Sequence, residues 1–170
     1  LAKQVERGKM AKEKADGILA LITPTTDYAA LKGADLVVEA VFENRDIKAT
    51  VTKAAEAVIP ETAVFGSNTS TLPITGLAEA SIRPESFIGI HFFSPVDKMG
   101  LVEIILGKKT NPHAVAVAVD YVKKIRKTPI VVNDSRGFFT SRVCGAFISE
   151  GHHMLKEGIP AAMIENCARY

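Results

Sequence analysis

Residues 35–66 read DLVVEAVFENRDIKATVTKAAEAVIPETAVFG, and they hold a strand, a helix and a second strand in succession. Asp35 to Val41 is a short run of β-branched and other apolar residues, the composition of a buried strand. From there Ile47, Val51, Ala54 and Val58 recur at helical spacing, with Asn44 placed to cap the helix and Asp46 in its first turn. Thr62 to Gly66 is the next strand candidate. Strand, crossover helix and strand within about 30 residues form the unit from which parallel sheets are built.

The pattern continues on the carboxyl side. Pro73 stands where a helix over roughly 74–80 starts. Ser86 to Phe93 and Leu101 to Leu106 read as strands, and the turn residues of Ser94–Gly100 between them predict a hairpin. A helix follows over about 114–125, with Val115, Val119, Val122 and Ile125 on one face, and then the strand Pro129 to Val132. Alternation of this kind predicts an α/β sheet that is mostly parallel. After Asn133-Asp134-Ser135 the character becomes helical, with Phe139, Val143, Phe147 and Met154 about one face of a helix over 138–156 and a shorter helix from Pro160. The expected boundary lies near Asp134, which separates residues 1–134 from 135–170. Residues 1–15 read as the middle of a helix and the chain opens on Leu1, so a piece of something longer is expected.

Composition excludes several classes. With 47% hydrophobic and 24% charged residues in 170, the chain has the balance of a globular domain with a packed core. A net charge of +2 gives no electrostatic case for nucleic acid or an anionic membrane as main partner. The longest apolar runs, such as 114–119, are far below the roughly 18 residues of a spanning helix. Cys144 and Cys167 lack disulfide or metal-ligand spacing, so no metal is expected and a reducing compartment is the simplest setting.

Ligands of open α/β sheets bind beyond the carboxyl ends of the strands, and three polar groups fall there. They are Glu43-Asn44 with Lys48 one turn on, Ser67-Asn68-Thr69-Ser70, and His91. Imidazole titrates near neutrality and can take a proton from a hydroxyl or return it to a carbonyl. If the two strands pair antiparallel about Asp97, His91 faces Glu103, a carboxylate able to fix its tautomer and favour its cation. The spacing is equally that of a core histidine beside a solvated strand residue, and the Ser67–Ser70 loop is also ordinary turn chemistry. The phosphate-binding G-x-G-x-x-G pattern is absent from the chain; a Rossmann-like sheet here therefore lacks its first strand and glycine turn.

The segments DLVVEAVFEN, SNTSTLPIT, IHFFSPVDKMGLVEII and NDSRGFFTSR, in this order and spacing, resemble the L-3-hydroxyacyl-CoA dehydrogenases. The likeness is strongest to the dehydrogenase part of multifunctional β-oxidation proteins and runs over essentially the whole chain. It implies oxidation of a 3-hydroxyacyl-CoA to the 3-ketoacyl-CoA with NAD as cofactor. His91 is then the general base and Glu103 its orienting carboxylate. Cofactor contacts are implied at Val41, Phe42, Glu43, Lys48, Asn68, Ser70 and Ser94, and substrate contacts at Ser70 and Ser141.

Ser94 and Ser141 stand where the family more often has asparagine, which keeps a hydrogen-bonding group but shortens its reach. Residues 1–134 are expected to be a partial NAD-binding domain and 135–170 the start of a helical carboxy-terminal domain. A sheet without its first strands exposes an edge and an apolar face, and the helix over 138–156 has too little partner surface, so a homo-oligomer is expected. The resemblance implies a place in a larger β-oxidation complex, in the bacterial cytoplasm or the mitochondrial matrix. Without the glycine turn, the isolated chain is expected to bind NAD weakly and turn over slowly or not at all. The other reading is a non-catalytic fragment that acts only in assembly.

Overall fold

The computed structural model describes residues 1–169 and separates into two units, Leu1–Ala30 and the chain from Leu31 on. The first holds helices α1 (Ala2–Glu6) and α2 (Lys12–Leu19). The continuous helix expected over residues 1–15 is thus broken. Gly8 takes φ +66, and the Gly8 and Lys9 amides bond back to Val5 and Gln4, a glycine-terminated helix end.

In the second unit, strands β1 (Leu36–Glu39), β2 (Val64–Ser67), β3 (Phe87–Phe92), β4 (Leu101–Leu106) and β5 (Thr128–Asn133) form one sheet in sequence order. All neighbours are parallel except β3 and β4, whose antiparallel pairing is the expected hairpin. This is the mostly parallel α/β sheet read from the sequence. Helix α3 (Arg45–Glu56) crosses from β1 to β2; the Asn44 side chain caps it, accepting from the amides of Asp46 at 2.9 Å and Ile47 at 3.1 Å. Helix α4 (Ile74–Leu77) stops short of Ala80 and tightens into a 3-10 turn over Ala78–Ala80. Helix α5 (Pro112–Lys124) joins β4 to β5.

Successive strand residues point to opposite faces, and each face has its own core. Phe65, Phe87 and Ile105 pack with Ala55 of α3 and with Ile74 and Leu77 of α4. Val64, Ile88, Ile90, Val102 and Ile104 pack with Ala114, Ala118 and Val122 of α5. Gly89 lies on the first face because a Cβ there would come within 2.8 Å of Ile105 and Ile74.

Helices α6 (Thr140–Lys156) and α7 (Ala161–Cys167) follow β5. The first begins two residues later than the sequence pattern suggests, since Gly137 and Phe138 take φ +76 and +48, outside the helical region. Phe138 itself is buried in the core beside Phe87 and Ile105, whereas α6 carries no buried residue. Asp134 fastens the end of β5 to α4, its carboxylate accepting from the amides of Ile74 at 2.9 Å and Thr75 at 2.8 Å. No described helix is long and apolar enough to cross a membrane.

Candidate active site

His91 stands near the carboxyl end of β3 and its register partner on β4 is Glu103. Nδ1 lies 2.8 Å from Glu103 Oε2. A carboxylate only accepts, so Nδ1 carries the proton, and Nε2 of the neutral ring is left with its lone pair. Among the described residues Nε2 has no hydrogen-bond partner. The imidazole is 8% exposed and lies against Phe93 and Phe138, with ring centroids 4.5 Å and 5.9 Å away. Glu103 is fully buried, and its second oxygen accepts from the amides of Phe139 at 3.1 Å and Thr140 at 2.8 Å. The positive end of α6 therefore supports a buried carboxylate that orients a histidine. Glu103 is not the solvated strand residue that spacing alone allows.

A second network occupies the carboxyl ends of β1 and β2. Glu43 Oε1 accepts from Thr69 Oγ1 at 2.6 Å and from the amides of Ser70 at 3.0 Å and Thr71 at 3.2 Å. Lys48 Nζ lies 3.4 Å from Glu43 Oε2 and bonds both oxygens of Glu39, at 2.9 and 3.0 Å. Glu39 also accepts from Ser67 Oγ and, at 3.1 Å, from the Val41 amide.

Burial pushes the Glu43 carboxyl up, but the Thr69, Ser70 and Thr71 hydrogen bonds and the Lys48 charge outweigh it and hold it below its ordinary value of 4.5. A carboxylate with a depressed folded value stabilises the native state above its unfolded value and ceases to do so as pH falls through the folded one. Glu43→Gln is therefore expected to lower stability at neutral pH, with the difference from the wild type vanishing on acidification below the folded value. Urea unfolding of both chains at pH about 7 and about 3 checks this; an equal difference at both would contradict it.

The remaining candidates spread along the same edge of the sheet. Val41, Phe42 and Ser70 are exposed, Phe42 by 83%. Lys48 is instead 2% exposed. Asn68 gives its side-chain oxygen to the Phe92 amide at 2.9 Å, tying the loop after β2 to the end of β3. Ser94 is exposed in the turn after β3, next to cis Pro95, and Ser141 is exposed in the first turn of α6. Sequence reasoning missed Glu39 and the two α6 amides, and it named Ser67 without its partner Glu39. A glutamate inside a β-branched run, followed nine residues later by a lysine, was the available signal for the first of these.

A mostly parallel sheet with an oriented acid–base pair and exposed polar loops at its strand ends defines an α/β domain built for ligand chemistry. Residues 1–135 match the family model described as 3-hydroxyacyl-CoA dehydrogenase, NAD binding domain. The chain is 47% identical over 158 residues to the fatty acid oxidation complex subunit alpha of Shewanella loihica, covering 93% of this chain and 22% of that protein. It thus spans about a fifth of the length of that curated relative. Its fold is similar to that of (S)-3-hydroxybutyryl-CoA dehydrogenase from Ralstonia eutropha, with TM-score 0.87 and 36% identity over 94% of this chain and 56% of that one. The 3-hydroxybutyryl-CoA dehydrogenase of Escherichia coli also gives 0.87, at 32% identity over 94% of this chain and 34% of that one. The chain belongs to the family of 3-hydroxyacyl-CoA dehydrogenases, and residues 1–135 correspond to its NAD-binding domain.

The residues present fit one part of such a cofactor. Val41, Phe42, Ser70 and Ser94 are exposed on the edge where His91 keeps Nε2 free. A pyrophosphate needs a glycine turn leading into a helix N-terminus, and the 170 residues contain no such pattern.

Proposed function

We propose that this chain contributes the acid–base centre and the rim of the cofactor site to an NAD-linked dehydrogenase that oxidises (S)-3-hydroxyacyl-CoA to 3-ketoacyl-CoA in fatty-acid β-oxidation. The observation that carries this is the 2.8 Å contact of His91 Nδ1 with buried Glu103, which leaves Nε2 as the free base. Bound NAD supplies a hydride acceptor for the carbon that carries the hydroxyl. His91 Nε2 accepts the hydroxyl proton, so that the oxygen is left with the electrons that form the carbonyl. Glu103 keeps Nδ1 protonated throughout and offsets the charge of the imidazolium; the Phe139 and Thr140 amides hold its carboxylate in place. Glu43 and Ser70 serve the cofactor rim together with Val41, Phe42, Asn68 and Ser94, Lys48 works beneath it, and Ser70 and Ser141 meet the substrate.

In this reading residues 1–134 are part of the NAD-binding domain and 135–170 open a helical domain. The bacterial relative is named as a subunit of a fatty acid oxidation complex, which supports a place in a larger assembly; a bacterial cytoplasmic setting is part of the same reading. Association is also expected of the 170-residue chain alone. Phe139, Val143, Phe147 and Leu155 of the helical segment are each more than half exposed. Covering the exposed part of each is worth about 1–2 kcal/mol, so mass by light scattering should rise with concentration. A monomeric mass at every concentration would count against it.

The test of function is NADH formation from a short (S)-3-hydroxyacyl-CoA, comparing this chain with one extended at both ends to the length of its relatives. Activity in the extended chain and little or none in the 170 residues is the expected result. Silence in both would remove the dehydrogenase assignment and favour a role in assembly alone.

A further inference from the structure

The rim network contains a buried charge that proton transfer at His91 does not use. Glu39 is 5% exposed, and both its oxygens are engaged, by Lys48 at 2.9 and 3.0 Å, by Ser67 Oγ and by the Val41 amide. Ser67 is its register partner on β2, and the Glu39 carbonyl also accepts from the Asn68 amide at 2.9 Å. Lys48 is itself sealed from solvent, yet its ammonium reaches Glu43 Oε2 at 3.4 Å and the Val41 carbonyl at 3.5 Å. Glu43, at the surface, gathers the Thr69–Thr71 loop with its other oxygen. One connected path thus runs from a carboxylate under the sheet edge to the loop that carries Ser70.

A buried ion pair is a weak source of stability, because desolvation of both charges offsets their attraction. Its value here is geometric: it fixes the distance between the turn leaving β1 and the loop leaving β2. We propose that Glu39 is a positioning residue for cofactor binding. It anchors Lys48, and Lys48 holds Glu43 in the attitude that keeps Ser70 and Thr71 in place. Lys48 then shapes the rim from beneath it. This rests on the reading of the rim as the NAD site.

The test uses Lys48→Met, Glu39→Gln and the double variant, which leaves no uncompensated buried charge and so restores folding if either single change impairs it. Amide hydrogen exchange is followed in the 170-residue chain, and steady-state kinetics in the extended one. In the double variant, Ser70 and Thr71 are expected to exchange at least about tenfold faster while Val64–Ser67 keep their protection. The KM for NAD should rise by a similar factor, with kcat and the KM for the acyl-CoA unchanged. A purely structural pair predicts recovery of both readouts in the double variant. Unchanged Ser70 and Thr71 protection would overturn the positioning role, and altered protection with an unchanged KM for NAD would overturn its link to the cofactor. Failure of the unaltered extended enzyme to form NADH would instead overturn the reading on which the proposal rests.

Discussion

Glu103→Ala is expected to destabilise the chain by about 3–5 kcal/mol, because one buried carboxylate is the acceptor for several donors. Three donors lose their acceptor at once: His91 Nδ1 and the amides of Phe139 and Thr140. Each unsatisfied buried group costs about 1–3 kcal/mol, less whatever entering water restores. Urea unfolding monitored by circular dichroism measures the loss; a change below about 1 kcal/mol would show that the carboxylate is not structural. Glu103→Gln separates folding from chemistry. The amide oxygen can still accept from the two α6 amides, but its NH2 faces Nδ1 and donates, so the ring must carry its proton on Nε2 instead. The Gln variant should therefore keep most of its stability and lose activity, because its histidine presents a donor where a base is needed.

His91→Ala in a chain extended to the length of its relatives is expected to lower kcat by about 10²–10⁴, the usual contribution of a positioned acid–base group. The KM values should move little, since the lost interaction belongs to the transition state. Alanine also leaves Glu103 Oε2 buried without its partner, so a stability loss accompanies the kinetic one. His91→Asn controls for this, because its amide N–H can occupy the place of Nδ1–H but cannot accept a substrate proton at neutral pH. Equal kinetic losses in the Ala and Asn variants, with stability recovered only in Asn, would assign the effect to chemistry. Wild-type rates in Asn would remove His91 from proton transfer.

The central architecture is legible in the sequence because alternation and turn chemistry act locally. Pro95, Asp97 and Gly100 mark the turn, the runs on either side read as strands, and a hairpin symmetric about Asp97 sets His91 against Glu103. Strand registers change only in whole residues, and each step swaps the faces, so such a pairing is strongly specified. The expected helix over residues 1–15 fails at Gly8, where the left-handed backbone ends the helix despite the helix-forming residues on either side.

Non-local satisfaction of buried polar groups is what the sequence hides. Glu39 sits in a run that reads as apolar strand, and its partners come from positions 41, 48 and 67, so no periodicity links them. The start of α6 shows no capping side chain of its own, and its free amides instead find Glu103, 36 and 37 residues upstream. Folding alone brings these groups together. The exposure of α6, by contrast, is legible: its one-sided apolar stripe calls for a covering surface that residues 135–170 are too few to supply, and no residue of α6 is buried.

The most direct measurement is the tautomer of His91, read from the ¹⁵N chemical shifts of its ring in the labelled 170-residue chain at a pH where the ring is neutral. A proton on Nδ1 and a bare Nε2 are expected in the wild type, and the reverse in Glu103→Gln. A wild-type ring protonated on Nε2 would contradict this, since that nitrogen could then not receive the proton of a substrate hydroxyl.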